Sequence, residues 1–145
     1  MKTLKIKNRY IIAVSNLLNE IKLKNQASRG RNKVIDRLVE KNQDFQKDLT
    51  EIRKDYFQVG EDGNLKVKDG QFLFKEDVTE EDKEVLNKRA DELQDEFFEI
   101  AFVEHSKKYE ALFDALNQLD DDLSGEKAIA YDVLLDAYEE NEEEN

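Results

Sequence analysis

Residues that could take part in catalysis are few in this 145-residue chain. Catalysis by side chains alone needs a nucleophile beside a base, or two carboxylates with separated pKa values in one cleft, and metal chemistry needs clustered ligands. The chain has one histidine, His105, no cysteine, and four serines, of which Ser28, Ser106 and Ser124 are predicted helix caps. One histidine supports neither a serine triad nor a usual transition-metal site. We therefore expect a protein without enzymatic activity, cofactor or metal ion.

The charge of the chain is divided along its sequence. Residues 1–54 carry 14 Lys and Arg against 6 Asp and Glu, which gives +8, whereas residues 55–145 carry 9 against 29, which gives −20. Together they make the net charge of −12. Two interpretations are open: the two parts lie against each other and largely cancel, or one face stays unpaired and steers a partner of opposite charge.

Two charged groups of residues are candidate interaction surfaces. The first combines a basic segment, predicted to connect two helices, with one polar residue of a helix seam; its members are Lys22, Lys24, Arg29, Arg31, Lys33 and Asn42. The second is the alternative, an acidic surface at the start of a later helix; its members are Glu80, Glu81, Asp82 and Glu84. Nucleic-acid binding by the basic segment is not expected, because the segment lacks P-loop glycines and aromatic residues and the acidic part would repel a polyanion.

Two long helices are predicted to position these surfaces. The first runs from Val34 to Tyr56 and has a seam spaced as in a coiled coil, formed by Ile35, Leu38, Asn42, Phe45, Leu49, Ile52 and Tyr56. The second runs from Thr79 to about Phe97, with Thr79 as its N-cap and Leu86, Ala90, Leu93 and Phe97 as its seam. A turn-rich stretch joins the helices, so we expect an antiparallel helical hairpin.

Glycine and aspartate punctuate the stretch between these helices. The pairs Asp62-Gly63 and Asp69-Gly70 predict short strands near residues 65–67 and 71–74, which would form a β-hairpin at the tip of the helical hairpin. A strand is also predicted over residues 2–7, with Leu4 and Ile6 on one side. Residues 98–103 alternate as a second strand that would pair with it, although continued helix is the competing interpretation.

Shorter helices complete the prediction. Asn8 is expected to cap a helix with the stripe Ile11, Ile12, Val14, Leu17, Leu18 and Ile21, and Ser106 a helix with the stripe Tyr109, Leu112, Phe113, Leu116 and Leu119. A last helix restarts after Leu123 and carries Ile129, Val133, Leu134 and Ala137, with Tyr131 and Tyr138 near its edges. The predicted fold class is α+β, mainly α, with one domain over residues 1–138 and a disordered acidic tail over residues 139–145.

Nothing in the sequence predicts membrane insertion or secretion. No apolar run approaches the roughly 20 residues of a membrane span, and residues 1–8 lack the apolar region of a secretory signal. The absence of cysteine agrees with a reducing compartment. We expect a cytoplasmic protein with no membrane partner.

Several short segments resemble a known group of proteins. They are Leu4-Lys5-Ile6-Lys7-Asn8, Ala13-Val14-Ser15-Asn16-Leu17-Leu18 followed by Leu23-Lys24 and Ala27-Ser28-Arg29, and Leu123-Ser124-Gly125-Glu126 before Tyr131. Over residues 2 to about 138 the chain resembles a small family of uncharacterised phage and prophage proteins of low-GC Gram-positive bacteria. The resemblance implies a phage protein often encoded near tail and lysis genes, located in the host cytoplasm or associated with the virion. It implies no catalytic or binding residues.

These observations favour a non-enzymatic phage accessory protein that binds another phage protein or a host protein, in tail assembly or as a minor structural component. A homodimer is expected if the seam of the first long helix is only partly covered, and Asn42 would then fix its register. The alternative is an acidic mimic of DNA that inhibits a host defence nuclease, because the part after residue 55 is so strongly negative.

Overall fold

The computed structural model of the chain describes residues 2–143. In chain order its elements are strand β1 (Thr3–Lys7), a 3-10 turn (Asn8–Tyr10), helices α1 (Ile11–Glu20) and α2 (Asn25–Lys54), strands β2 (Val67–Lys68) and β3 (Gln71–Phe72), helix α3 (Glu80–Gln94), strand β4 (Phe97–Ala101), and helices α4 (Ser106–Asn117) and α5 (Glu126–Glu143). Helices dominate, and the strands form two small antiparallel sheets. The predicted α+β, mainly α class is confirmed.

The chain forms two compact units. The first contains the residues up to Asn42 together with those from Phe97 onward, and the second is Gln43–Glu96. Helix α2 therefore contributes its beginning to the first unit and its end to the second. The prediction of one domain over residues 1–138 does not distinguish these two units, each of which has its own buried side chains.

Strands β1 and β4 form the sheet of the first unit. They pair antiparallel, with Leu4 opposite Ile100 and Ile6 opposite Phe98, and all four side chains are buried. Residues between them along each strand are more exposed, which is the alternation that one buried sheet face produces. Both predicted strands are confirmed, and residues 97–101 are strand rather than continued helix.

Helices α1, α4 and α5 and this sheet supply the core of the first unit. An aromatic cluster lies in it: the rings of Phe113 and Tyr138 stack with centroids 4.2 Å apart, and those of Phe102 and Tyr109 lie 4.7 Å apart. The prediction that Tyr138 lies at the edge of its helix is wrong, since this side chain is buried. Its ring stacks on those of Phe113 and Phe102 in this cluster.

Two apolar residues of the predicted stripes face outward. Ile12 is 56% exposed and Ile129 is 54% exposed, whereas Val14 and Leu134 are fully buried. In each helix the buried face is narrower than the apolar stripe, because one neighbouring layer covers only part of a helix circumference.

Helix α2 packs closely against α4 at Gly30. A Cβ atom added at Gly30 would lie 2.1 Å from the carbonyl oxygen of Lys108 and 3.1 Å from Cβ of Leu112. Glycine is therefore required by the distance between the two backbones. The buried face of α2 continues through Val34 and Leu38, not through the predicted seam residue Ile35, which is half-buried.

The predicted connection over residues 22–33 is mostly helical, which corrects the predicted start of the long helix. Helix α2 begins at Asn25, and Ser28 lies within its first turns instead of capping it. The prediction failed because Gly30 suggests a turn, whereas here it allows close helix packing.

Two further predicted caps are also wrong. Asn8 is the first residue of the 3-10 turn, and Tyr10 occupies the N-cap position of α1 without a side-chain cap. Ser106 is the first residue of α4, and its hydroxyl donates to Oε1 of Glu110 at 3.4 Å. In both places the predicted capping residue lies inside the turn or helix and not at the N-cap position.

In the second unit, helix α3 begins as predicted. The N–H of Asp82 donates to Oγ1 of Thr79 at 3.1 Å, and the N–H of Thr79 donates to Oδ2 of Asp82 at 3.0 Å, which completes a capping box. The helix ends at Gln94, so Phe97, which was expected on its seam, belongs to β4 instead. Leu49, Leu86 and Leu93 are the buried aliphatic side chains of this unit.

The end of α2 is joined to α3 by one arginine. Nη1 of Arg89 donates to Oδ2 of Asp55 at 3.0 Å and to the hydroxyl oxygen of Tyr56 at 3.0 Å. The hydrogen bonds to Tyr56 and Asp55 raise the pKa of Arg89, because they favour its charged form. The order helix, β-hairpin, helix agrees with the predicted hairpin arrangement.

The β-hairpin has the turn that its sequence predicts. Asp69 and Gly70 connect β2 to β3, and both have positive φ, at 53° and 78°. Positive φ at both central residues defines a type I′ turn, whose twist fits a two-residue hairpin. A third segment joins the sheet, because Gln58 donates to the Leu73 carbonyl at 2.8 Å and accepts from the Lys66 N–H at 2.9 Å.

The C-terminal helix α5 extends to Glu143, past Glu139, where the acidic tail is predicted to begin. Residues 144 and 145 of that predicted tail lie outside the described residues. Among residues 2–143, no helix combines the length and the apolar character needed to cross a membrane.

Candidate interaction surfaces

The basic segment is partly occupied by structural contacts. Nη1 of Arg31 donates to the Ile21 carbonyl oxygen at 2.5 Å, and Nη2 donates to Oγ of Ser28 at 3.0 Å. Ile21 is the C-cap of α1, so Arg31 binds the end of α1 to the beginning of α2. This explains the short connection between the helices and leaves Arg31 less available to a partner.

The other members of the predicted basic surface are spread out. Lys22 and Lys24 precede α2, and Arg29 and Lys33 lie one turn apart on it. Asn42 is half-buried on the same helix, nine residues beyond Lys33, which places it about 13 Å farther along the axis. The structure therefore does not bring Asn42 together with the basic residues.

The predicted acidic surface is divided in the same way. Asp82 belongs to the capping box of α3, and Oε1 of Glu80 lies 3.0 Å from Nζ of Lys83. Glu81 and Glu84 are exposed. Two of the four carboxylates thus serve the beginning of α3, and the other two are available at its surface.

A third surface was not predicted. Four apolar side chains of the β-hairpin segment are more than a third exposed: Val59 at 39%, Val67 at 59%, Phe72 at 36% and Phe74 at 37%. Val67 lies directly opposite Phe72 in the hairpin. We call these four residues together with Phe57 the hairpin patch.

The rings of the hairpin patch form a continuous row. The centroid of Phe57 lies 4.4 Å from that of Phe74, in a stacked arrangement, and 5.4 Å from that of Phe72. Two cations lie over the outer rings, with the guanidinium carbon of Arg53 at 5.3 Å from Phe72 and Nζ of Lys83 at 4.7 Å from Phe74. The result is an aromatic surface with fixed positive charge at both ends.

The sequence did contain a signal for this surface. Phe72 and Phe74 are two residues apart, so they must share one face of a strand. A pattern of alternating residues predicts the shared face but does not show whether a second layer covers it. Side chains of α2 and α3 cover these rings only in part, since Phe72 and Phe74 stay 36% and 37% exposed, and this could not be read from the spacing.

The single histidine lies beside a carboxylate and a tyrosine ring. Nε2 of His105 lies 3.8 Å from Oε2 of Glu104, and its ring meets the edge of Tyr109 with centroids 6.1 Å apart. The neighbouring Ser106 hydroxyl contacts Glu110 instead. Among residues 2–143, no three His, Cys, Asp or Glu side chains are grouped as metal ligands.

Tyr109 is the titratable side chain most affected by its surroundings in this region. Burial raises its pKa above the usual value of 10.0, because the phenolate form would lose its hydration. The positive charge of Arg37 opposes this effect, and the carboxylates of Glu104 and Asp36 add to it. Tyr109 therefore keeps its phenolic proton at neutral pH.

Comparison with known proteins identifies a family for this chain. No curated protein matches the chain, and no solved structure matches it. One family model, described as "Protein of unknown function (DUF1617)", matches residues 2–145. The match covers nearly the whole chain, and the chain therefore belongs to the DUF1617 family.

Proposed function

We propose that this chain is a non-enzymatic phage accessory protein that acts by binding another protein, in tail assembly or as a minor structural component. The observation that carries the proposal is the hairpin patch, a row of exposed apolar side chains on a two-strand hairpin. Contiguous exposed apolar surface of this kind is typical of interaction sites.

The composition and rigidity of the hairpin patch favour a protein partner. Aromatic side chains and arginine are enriched in protein interfaces, and here Arg53 already lies against the Phe72 ring. The type I′ turn at Asp69 and Gly70 fixes the hairpin before binding, so little conformational entropy would be lost on association. We infer that an apolar pocket of the partner receives Phe72 and Val67.

The phage setting is supported by the resemblance of the N-terminal and C-terminal segments to phage and prophage proteins of low-GC Gram-positive bacteria. Membership in a family of unknown function agrees with that resemblance, because the proteins that the chain resembles are also uncharacterised. In this setting the protein acts in the host cytoplasm, and it either stays there or becomes part of the virion.

A homodimer through a coiled-coil seam is a second part of the proposal. Ile35, Phe45 and Ile52 of the predicted seam are only half-buried, so a second copy would cover them further. Asn42, also half-buried, would then fix the register. Equilibrium sedimentation is the test, and a monomer at high protein concentration would remove the dimer.

The alternative function is an acidic mimic of DNA that occupies a host nuclease. Exposed carboxylates on α3, including Glu81, Glu84, Asp91 and Glu92, support it. Against it, Asp82 and Glu80 are already engaged at the beginning of that helix. Reversing the charge of Glu81 and Glu84 together would abolish a salt-sensitive complex with a nuclease but leave binding by the hairpin patch unchanged.

The test of the proposed function is affinity capture from phage-infected host cells with a matched pair of variants. Val67→Asp places a charge in the hairpin patch, and Val85→Asp places the same charge at an exposed position of α3 in the same unit. We expect Val67→Asp to weaken capture of a phage protein about tenfold and Val85→Asp to leave it unchanged. Equal capture by the wild-type protein and both variants would refute the assignment of the hairpin patch as the binding surface.

A further inference from the structure

Exposed carboxylates lie beside the hairpin patch along the chain. Glu76 and Asp77 occupy an exposed turn shortly after Phe74, and Asp69 is exposed in the turn between β2 and β3. We call the carboxylates next to the patch in the chain the acidic rim; its members are Glu61, Asp69, Glu76 and Asp77. None of the four has an ion pair with any of residues 2–143. The apolar side chains of the patch are therefore bordered by uncompensated negative charge.

Cations on the face of the hairpin patch do not balance the acidic rim. Of the two cations over the rings, Lys83 is already paired, because its Nζ lies 3.0 Å from Oε1 of Glu80. Arg53 lies over the Phe72 ring and has no ion pair in the described part of the chain. The remaining cations of the hairpin each directly precede or follow a patch residue; they are Lys66, Lys68 and Lys75. Consecutive side chains of a strand point to opposite faces, so these lysines lie on the other face.

The second unit as a whole has the same sign of charge. Its residues, 43–96, carry 9 Lys and Arg against 17 Asp and Glu, which gives −8. A field of one sign around a binding surface attracts partners of the opposite sign and speeds their association. The aromatic rings also accept cations on their faces, as the positions of Arg53 and Lys83 show. The charge of the unit and the rings of the patch therefore both favour a cationic partner.

We propose that the protein surface that covers the hairpin patch is bordered by lysine and arginine side chains, which lie against the acidic rim. This inference rests on the proposed function of the hairpin patch and adds the chemistry of its partner. The apolar side chains of the patch supply most of the affinity, whereas the acidic rim selects among partners and raises the association rate.

A basic protein surface suits the hairpin patch better than a second copy of this chain. Two copies that met patch to patch would bring two acidic rims together, and like charges across an interface oppose association. A nucleic acid or an anionic lipid surface is opposed for the same reason, because each is a polyanion. The charges on this face therefore select a partner protein of basic character.

The test uses a displayed library of random twelve-residue peptides, selected on the full-length protein at low salt. Selected peptides should combine apolar residues with lysine or arginine, and their binding should weaken as salt is added. Glu76→Lys combined with Asp77→Lys reverses two charges of the acidic rim. Asp91→Lys combined with Glu92→Lys makes the same change of net charge at exposed positions near the end of α3, about 12 Å or more along the axis from Lys83. The first double variant should bind the peptides about tenfold more weakly, and the second should bind them as wild type does.

A further variant, Val67→Ser, separates this inference from the proposed function, because it removes apolar area from the hairpin patch without changing a charge. All the substituted side chains are exposed, so each variant should keep the fold, and circular dichroism checks this. Peptides that lose binding to Val67→Ser but bind both double variants equally would overturn the role of the acidic rim and leave the hairpin patch in place. Peptides that bind Val67→Ser as strongly as wild type would contradict the hairpin patch itself, and the inference with it. A selection that enriches no basic peptide would also overturn the inference.

Discussion

Gly30 shows how a single residue determines the packing of two helices. Its Cα lies so close to the Lys108 carbonyl that any side chain must move one backbone. Elsewhere in an exposed helix, Gly→Ala stabilises by about 1 kcal/mol. Here the change has the opposite sign, because the clash involves backbone atoms and not a flexible side chain.

We predict that Gly30→Ala lowers the free energy of unfolding by about 1–3 kcal/mol. Urea denaturation followed by circular dichroism measures this change. Asn32→Ala, two residues away on the exposed side of the same helix, is the control and should have little effect. A Gly30→Ala protein as stable as wild type would show that α2 and α4 are farther apart than described.

Arg31 and Arg29 have the same side chain but different contacts. Arg31 donates to the Ile21 carbonyl and to Ser28, whereas Arg29 is exposed. We predict that Arg31→Ala costs about 1 kcal/mol of stability, the usual net value of a partly buried hydrogen bond, and that Arg29→Ala costs almost nothing. Thermal unfolding of the two variants measures the difference, and equal melting temperatures would refute the structural role of Arg31.

Tyr109 makes stability depend on pH in the alkaline range. Because burial raises its pKa in the folded protein, the unfolded chain loses the phenolic proton first as pH rises above about 10. The contribution of neutral Tyr109 is therefore complete below pH 10 and is lost as pH rises through the folded-state pKa. We predict a shallower alkaline loss of stability for Tyr109→Phe, measured by urea denaturation from pH 8 to pH 11; an identical slope would contradict this.

At the scale of elements, the β-hairpin depends on its turn. Gly70 has a φ of 78°, and alanine in that conformation costs about 1–2 kcal/mol. We predict that Gly70→Ala speeds amide exchange at Gln58 and Lys66, whose hydrogen bonds hold the hairpin together. Asp69→Asn is the control, because asparagine tolerates positive φ. Unchanged exchange in Gly70→Ala would mean that the packing of the rings, and not the turn, fixes the hairpin.

The elements that depend on residues close together in the sequence could be predicted. Thr79 followed by three acidic residues identified the beginning of α3, and Asp69-Gly70 identified the hairpin. The beginning of α2 was missed because the role of Gly30 depends on Lys108, which is 78 positions away in the sequence. Helix patterns show which residues are apolar, but the neighbour that covers them is set by tertiary packing.

At the scale of the whole molecule, exposed ion pairs connect the part of the sequence before residue 55 with the part after it. In the first unit, Lys5 pairs with Glu99 and Lys127 with Glu20, and all four side chains are about half exposed. Exposed pairs of this kind contribute little to stability. The acidic and basic surfaces could be predicted from composition, whereas the hairpin patch depends on which faces the fold leaves uncovered.

The measurement that tests the proposed interaction most directly is photo-crosslinking in phage-infected cells, with a photoreactive phenylalanine analogue placed at position 72. A second protein carries the analogue at position 129, where Ile129 is 54% exposed in the first unit and distant in sequence from the hairpin patch. We predict that position 72 crosslinks to one defined protein and that position 129 does not. A partner captured by the wild-type protein that crosslinks from position 129 but never from position 72 would contradict the assignment of the hairpin patch as the binding surface.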